Sequence, residues 1–444
     1  MKRDVCVVLE NFLSNNPFES NVIIIEGARQ VGKTYLVKDS INGKDSAQTI
    51  AINFEKEPDL RLEVDSTQNF EEFTKWLEQK KGFKKDSVES KIVFFDEAQE
   101  SEKIGSYVRF MKEEWRSTKT ILTGSSMTKL FSGETRVPVG RIEYLTVWPF
   151  NFIEFIRCGR NASLEEFILN FNHGESIPDF MHRDLLKLFD DYLLVGGMPE
   201  VVKTYYDGGD FTKILRFLIA SEQDDFLRKE EKIKNLLFLD ALKGVSNHVG
   251  MASKYTHVSP THYEAKKIIE LLKKWYLIIE VEQKGCVTTQ TQFNPKRYVY
   301  DLGILRLLRE VAIPRISAIK TLSEKLRTPL GGLIENAVIL NMMEGNGGFF
   351  EVSGWKRNSN DAIEVDFIHK NLEKTIPIEV KAALNVTNRH AKNIRAYLKE
   401  FELDRGILIS LDKPRQVGDT AHDITNIPAY LVGSPCYRKL LSGF

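Results

Sequence analysis

The sequence predicts an α/β protein, and three stretches predict it. The first is an apolar run, Val22-Ile23-Ile24-Ile25, which passes at Gly27 into a glycine-bounded loop and then into helix-forming residues from Tyr35 to Lys38. The second is another apolar run, Ile92-Val93-Phe94-Phe95, which ends in Asp96 and Glu97. Unbroken apolar runs of this length are strands of a parallel sheet covered on both faces. The third lies far downstream. An apolar helical stretch, Gly331 to Leu340, is followed by two alternating strands, Ile363 to Ile368 and Ile376 to Lys381, then by a helix, Asn388 to Phe401, and a strand, Gly406 to Ser410. A period of two puts Glu379 and Lys381 on one strand face and Ile378 and Val380 on the other.

At 444 residues the chain is too long for one ordinary core, and the prior for its length is about three domains. The patterning divides it at 1–155, 156–225, 226–328 and 329–444. A hydrophobic fraction of 42% with 28% charged residues is that of a globular chain. Formal net charge is zero, so any attraction for nucleic acid has to come from a local patch. Cys6, Cys158, Cys286 and Cys436 lie far apart without paired spacing, which argues against a zinc site or a disulfide framework and suits a reducing cytoplasm. No apolar run approaches the ~20 residues of a membrane span, and the residues after Lys2, Arg3 and Asp4 lack the apolar core of a signal peptide.

The first strand leads into Gly27-Ala28-Arg29-Gln30-Val31-Gly32-Lys33-Thr34, which fits G-x-x-x-x-G-K-[ST] at every fixed position. Glycines let successive backbone N–H groups turn inward on a phosphate, and the helix that follows adds its N-terminal dipole. Lys33 is expected to reach the β/γ-phosphates of ATP and the Thr34 hydroxyl to ligate Mg²⁺. Asp96, at its strand end, is expected to hold the same Mg²⁺, and Glu97 to orient and deprotonate the attacking water. A short helix over residues 5–13 precedes the first strand. A strand Thr49 to Ile52 and an amphipathic helix Glu71 to Lys80 lie between the two motifs.

A further strand, Thr120 to Thr123, ends at Gly124-Ser125-Ser126. Thr123, Ser125 and Ser126 are candidates for sensing a γ-phosphate, with a plain helix cap as the other reading. Arg136 and Arg141 precede a strand Ile142 to Leu145, and Arg141 either neutralises transition-state charge, in its own subunit or a neighbour's, or is a solvated surface arginine.

With GARQVGKT, FFDEAQ, LTGSS, VGRIEYLTVWPFNFIEF and YLLVGGMPE on one chain, the sequence resembles a large group of uncharacterised bacterial and archaeal AAA-type ATPases. The resemblance covers nearly the whole chain. It implies an AAA+-like parallel sheet with helices on both faces and a helical lid, followed by a C-terminal domain of unknown function.

Residues 156–225 carry helical patterns, broken by Gly196-Gly197-Met198-Pro199, which suits a tight turn or a hinge. In 226–328 a helix Asn235 to Val245 precedes a second that opens at Ser259 with Pro260 in its first position. Strands Tyr276 to Val281 and Lys296 to Asp301 follow. Helices then a hairpin is the pattern of a winged helix. Lys266, Lys267, Lys273 and Lys274 on its second helix would face DNA, or form a solvated face of a protein-binding or structural module, with Glu264, Glu270 and Glu280 offsetting their charge.

The last third resembles the PD-(D/E)XK nuclease fold. That resemblance implies that Glu335, Asp366 and Glu379 ligate Mg²⁺ together with the Val380 carbonyl, and that Lys381 positions or activates water. The hard carboxylate oxygens suit that ion. The proline that usually precedes the Asp is Val365 here. Two functions are therefore expected. One is an Mg²⁺-dependent ATPase with a C-terminal domain that binds or cleaves DNA. The other is a regulatory ATPase switch acting on a protein partner through a nuclease-like domain that does not cut.

Overall fold

The structure is a computed structural model that describes residues 3–16, 20–42, 49–84, 91–125, 142–230, 235–285, 293–344, 352–357, 363–371, 374–419 and 421–442. Its contacts group into two compact units, residues 1–148 with 274–276, and residues 149–273 with 277–444.

The first unit is built on five strands: β1 (Val22–Glu26), β2 (Thr49–Asn53), β3 (Lys91–Asp96), β4 (Thr118–Gly124) and β5 (Ile142–Thr146). They form one parallel sheet in the order β2-β3-β4-β1-β5. Each expected strand lies where the apolar runs put it, and β3 and β4 are buried along their whole length. The helix Phe70–Lys81 begins where the Asn69 side chain accepts the Glu72 N–H and ends at Gly82 in the left-handed conformation. It covers one sheet face with an aromatic cluster in which Phe70, Phe73 and Phe83 pack around the fully buried Trp115. A buried ring of this kind stabilises by roughly 1.5–3 kcal/mol. The register pairs Asn53 with Asp96 and Glu26 with Gly124, so β1 to β4 end along one edge of the sheet. In open parallel sheets, ligands bind outside that carboxyl edge.

The second unit opens with helices Phe152–Cys158, Ala162–Asn170, Asp179–Val195, Pro199–Tyr206 and Phe211–Lys229. The break at Gly196-Gly197 is a packed turn. The Gly197 N–H donates to Asp301 Oδ2 at 2.7 Å, and a Cβ on Gly197 would stand 2.2 Å from the Phe150 carbonyl oxygen. After the helix Asn235–Asn247, the next one runs His262–Lys274 and starts later than Ser259, because Thr261 takes the N-terminal position: its carbonyl accepts the Ala265 N–H and its hydroxyl pairs with Glu264.

β6 (Ile278–Val281) pairs antiparallel with β8 (Lys296–Val299), and between them β7 (Gln283–Lys284) turns away. β6 starts after Tyr276 because that residue sits at φ 60°, outside strand geometry. β7 joins a mixed seven-stranded sheet with β9 (Val352–Lys356), β10 (Glu364–Lys370), β11 (Thr375–Val380), β12 (Arg405–Ser410), β13 (Arg415–Gln416) and β14 (Asp423–Pro428). Its order is β13-β14-β12-β11-β10-β9-β7. β10 and β11 pair antiparallel, with a bulge between Val365 and Ile368 on the β9 side, and β11, β12 and β14 run parallel. The helix Lys392–Glu400 packs Ile394 and Leu398 against Leu408 and Ile424 of that sheet. The helix Glu324–Glu344 continues through Pro329, and so begins earlier than Gly331. Among the described residues, no helix is long and apolar enough to cross a membrane.

Candidate functional site

The loop between β1 and the helix Lys33–Ile41 has the backbone its glycines foretell. Gly27 and Gly32 sit at φ 145° and 95°, and Gln30 between them at 59°. A Cβ on Gly27 would stand 2.2 Å from the Val147 carbonyl oxygen, so the loop is pressed against the chain that leaves β5. Ala28 and Val31 are buried, and the half-buried Arg29 reaches Glu55 at 3.4 Å. Lys33 lies folded over its own loop, its ammonium donating to the Gly27 and Ala28 carbonyls at 2.8 and 2.7 Å. An anion placed in the loop would take over those donors.

Asp96 is the focus of the second half. Thr34 Oγ1 donates to it at 2.9 Å, Asn53 Nδ2 at 2.7 Å and Thr123 Oγ1 at 2.5 Å. The structure thus brings the helix start and the ends of β2, β3 and β4 to one carboxylate, itself 3% exposed. Glu97 follows at φ 51°, and Gln99 Nε2 donates to its Oε2 at 2.6 Å. Of the γ-phosphate sensor candidates, Thr123 is engaged with Asp96, whereas Ser125 Oγ is buried with no partner among the described residues. Ser126, Arg136 and Arg141 lie outside the described residues.

Three residues around this site went unread in the sequence. Asn53 was visible only as a strand end. Arg3, in the sequence one of three N-terminal charges, is buried and donates to the Val31 carbonyl at 2.9 Å and the Trp148 carbonyl at 2.7 Å, fastening the loop to the chain after β5. Glu26, the last residue of β1, is pushed above the usual carboxylate range by burial, with a hydrogen bond from Tyr276 and the charge of Lys33 pulling the other way.

In the second unit, Glu335, Asp366 and Glu379 are all buried. The group that joins the first two is Lys296 of β8, 1% exposed. Its ammonium lies 3.0 Å from Glu335 Oε1, 2.7 Å from Asp366 Oδ1 and 3.6 Å from Glu364 Oε1. Tyr298 Oη donates to Glu335 Oε1 at 2.5 Å, and the Val380 N–H donates to Asp366 Oδ2 at 2.8 Å. Glu379 is held separately: Lys381 Nζ and Asn393 Nδ2 donate to its Oε1 at 2.5 and 3.0 Å, while Oε2 is buried with no partner among the described residues.

Burial opposes the charge on Lys296, yet Asp366 and Glu335 raise its pKa well above the ordinary lysine value. Burial likewise works against ionised Asp366, but Lys296, Lys381 and the Val380 N–H more than offset it and hold that carboxyl below its usual range. Glu379 is pushed up to about 8 by burial and then by the charge of Asp366. Among the described residues, no group of three or more His, Cys, Asp or Glu side chains is arranged to hold a metal ion. The acids expected to share one are instead divided between two lysines.

Comparison with known proteins agrees with the first unit's geometry. Residues 19–156 match the AAA domain family, residues 186–313 match a domain of unknown function (DUF8612), and residues 330–430 match another (DUF4143). The uncharacterized protein MJ1544 of Methanocaldococcus jannaschii is 25% identical over 401 residues, which cover 87% of this chain and 80% of that one. Among solved structures, the Walker-type ATPase paby2304 of Pyrococcus abyssi is 18% identical, with 68% of this chain and 94% of that one covered at a TM-score of 0.43. The Drosophila ORC bound to DNA is 12% identical, covering 69% of this chain and 84% of that one at a TM-score of 0.28. Both scores fall below 0.5, so neither likeness bears on what this chain does. The AAA match falls on the five-stranded parallel sheet and the glycine loop at its carboxyl edge, so the N-terminal unit carries an AAA domain, followed by matches to two domains of unknown function.

Proposed function

We propose that this chain is a magnesium-dependent ATPase whose nucleotide cycle works a regulatory switch. The observation that carries the ATPase part is the convergence of Thr34, Asn53 and Thr123 on Asp96, beside a loop whose lysine is already turned onto it. The donor set fits nucleotide and ion: hard oxygens from Thr34 and Asp96, and a cradle too tight for a Cβ at Gly27. The N–H groups of Ala28 to Thr34 would bind the phosphates, and Lys33 would leave its two carbonyls for the β/γ oxygens. Thr34 and Asp96 would hold Mg²⁺, which when bound neutralises charge on those oxygens. Glu97, steered by Gln99, would take the proton from the attacking water. Ser125 would offer its unpaired hydroxyl to the γ-phosphate, and Arg141 would stabilise transition-state charge.

For the C-terminal region we favour the switch over DNA cleavage. What supports this is Lys296, whose ammonium fills the space between Glu335 and Asp366 that a cleaving site would give to a metal. The residues present do not fit that ion, so Lys381 is read as the partner of Glu379 and as no activator of water. The switch acts on a protein partner, and DNA binding through the α-helical lysines 266, 267, 273 and 274 is the competing reading.

The ATPase reading is tested by phosphate release from wild-type, Lys33→Ala and Glu97→Gln protein in Mg²⁺, with and without mixed DNA. Both variants lose turnover, and Glu97→Gln keeps ATP binding. Wild-type turnover in Lys33→Ala removes the loop assignment, and strong stimulation by DNA shifts the partner from protein to nucleic acid. Mg²⁺-dependent nicking of supercoiled plasmid by wild type, lost in Lys381→Ala, overturns the non-cutting reading.

A further inference from the structure

Residues 274–276 group with the first unit, although the chain on either side of them belongs to the second. Within that short segment Tyr276 has a left-handed backbone, at φ 60°, which a bulky residue keeps only where its surroundings hold it. Two contacts inside the first unit hold it. Its ring meets the Trp148 indole edge-to-face, with centroids 5.9 Å apart. Its hydroxyl donates to the carboxylate of Glu26, the last residue of β1 and the neighbour of Gly27. Both contacts fall on the frame that carries the phosphate loop. The Val147 N–H donates to the Glu26 carbonyl at 2.7 Å, and Arg3 ties the Trp148 carbonyl to that of Val31.

Glu26 thus puts a carboxyl group at the root of a loop built to take an anion. The groups that face it are Lys33 at the start of the helix Lys33–Ile41, Tyr144 of β5 and Tyr276. Burial works against its charge, while the Tyr276 hydroxyl and Lys33 favour it. A charged Glu26 repels a triphosphate and competes with it for Lys33, and a neutral one does neither. We propose that Tyr276 is a positioning residue for the phosphate loop: its hydroxyl keeps Glu26 charged at the loop's root, and that charge restrains the loop's hold on a nucleoside triphosphate. This rests on the ATPase reading given above and deepens it by adding a regulator of nucleotide affinity. Coupling between two sites is reciprocal, so a triphosphate in the loop loosens Glu26 from Tyr276 in turn. Tyr276 lies between the helix His262–Lys274 and β6, so the nucleotide acts on the segment that links them.

The test is binding of a fluorescent ATP analogue to the full-length protein in EDTA, from about pH 5 to pH 9, read by anisotropy. The proteins compared are wild type, Tyr276→Phe, Glu26→Gln and Lys33→Ala. Dividing each affinity by that of Glu26→Gln at the same pH removes the titration of the ligand itself. Wild type is expected to approach Glu26→Gln at the acid end and to fall about tenfold below it at the alkaline end. Tyr276→Phe keeps the ring on Trp148 but takes a donor from the charged carboxylate, so its fall moves up by about one pH unit. A wild-type ratio that does not change with pH overturns the proposal, because the nucleotide then feels no charge on Glu26. A fall at the same pH in Tyr276→Phe and wild type also overturns it, because the hydroxyl then holds nothing. Should Tyr276→Phe not fold, fluorotyrosine in place of Tyr276 is a stronger donor and must move the fall to lower pH; no movement overturns the proposal. Lys33→Ala separates the two readings. If it binds as wild type does, the ATPase reading falls and takes this one with it. If it loses binding while the wild-type ratio is constant with pH, the role of Tyr276 falls alone.

Discussion

Replacing Gly27 by alanine tests the phosphate loop more sharply than removing a charge, because the added methyl meets backbone. At φ 145° a non-glycine residue is strained by about 1–3 kcal/mol. The new Cβ would lie 2.2 Å from the Val147 carbonyl oxygen and 3.2 Å from its carbon, and no side-chain rotation relieves contacts with main chain. The loop must therefore move away from the segment that follows β5. A displaced loop misdirects one or more N–H donors, and a hydrogen bond to a charged group contributes about 1.5–3 kcal/mol. ATP binding should weaken by about 10- to 100-fold, at 1.4 kcal/mol per factor of ten. Gly82→Ala is the control: φ is also positive there, at 69°, but nothing lies within 4 Å of the new methyl. It should cost about 1–2 kcal/mol of stability and leave ATP affinity alone. The assay is anisotropy of a fluorescent ATP analogue, with circular dichroism to establish that both variants are folded. A folded Gly27→Ala protein that binds within about twofold of wild type would refute the account of the loop.

Two further outcomes follow from buried polar groups. Asn53→Ala removes one donor from Asp96 and leaves Thr34 and Thr123, so Mg²⁺-supported turnover should fall by about tenfold, while ATP binding measured without Mg²⁺ is unchanged; phosphate release across a Mg²⁺ series checks this. Asp301 is fully buried, and burial pushes its pKa up to about 6 although the N–H groups of Ile304, Gly197, Gly303 and Met198 pull it down. A carboxyl raised in the folded state lends stability that is complete below its unfolded pKa, near 3.8, and lost as pH rises through 6. Between pH 4 and 7 wild type should therefore lose about 3 kcal/mol relative to Asp301→Asn, which has no proton to exchange. Denaturant unfolding of both proteins at the two pH values measures it, and a difference that does not change with pH contradicts the assignment.

Much of the first unit is legible in the sequence because its strands are local signals. Four consecutive apolar residues announce β1 and β3, and each is followed by the polar residues that do chemistry. The helix Phe70–Lys81 is marked at both ends by its own capping residues. Legibility fails where partners are distant or segments are short. Lys296 reads as an ordinary strand residue, since nothing near it in sequence reveals acids 39 and 70 residues further on. β7 has two residues, too few for a period to show. Arg3 has the same difficulty: its partner Trp148 is 145 residues away. Tyr276 extends an apolar strand pattern, but its left-handed backbone is invisible in a one-letter code. Thr123 was legible as a polar strand end, although its bond to Asp96 depends on β3 and β4 being neighbours.

The short strand β7 has a consequence for how this protein can be taken apart. It lies within residues 186–313, which match one domain of unknown function, yet it forms the edge of a sheet whose other strands fall mainly in residues 330–430, which match another. Lys296 makes the same crossing as a charge. A fragment cut between the two would expose the backbone of β9 as an open edge and take Lys296 away from the buried Glu335 and Asp366. Two stretches matched by separate sequence families thus share one compact unit, and neither keeps its sheet edge and its charges intact without the other.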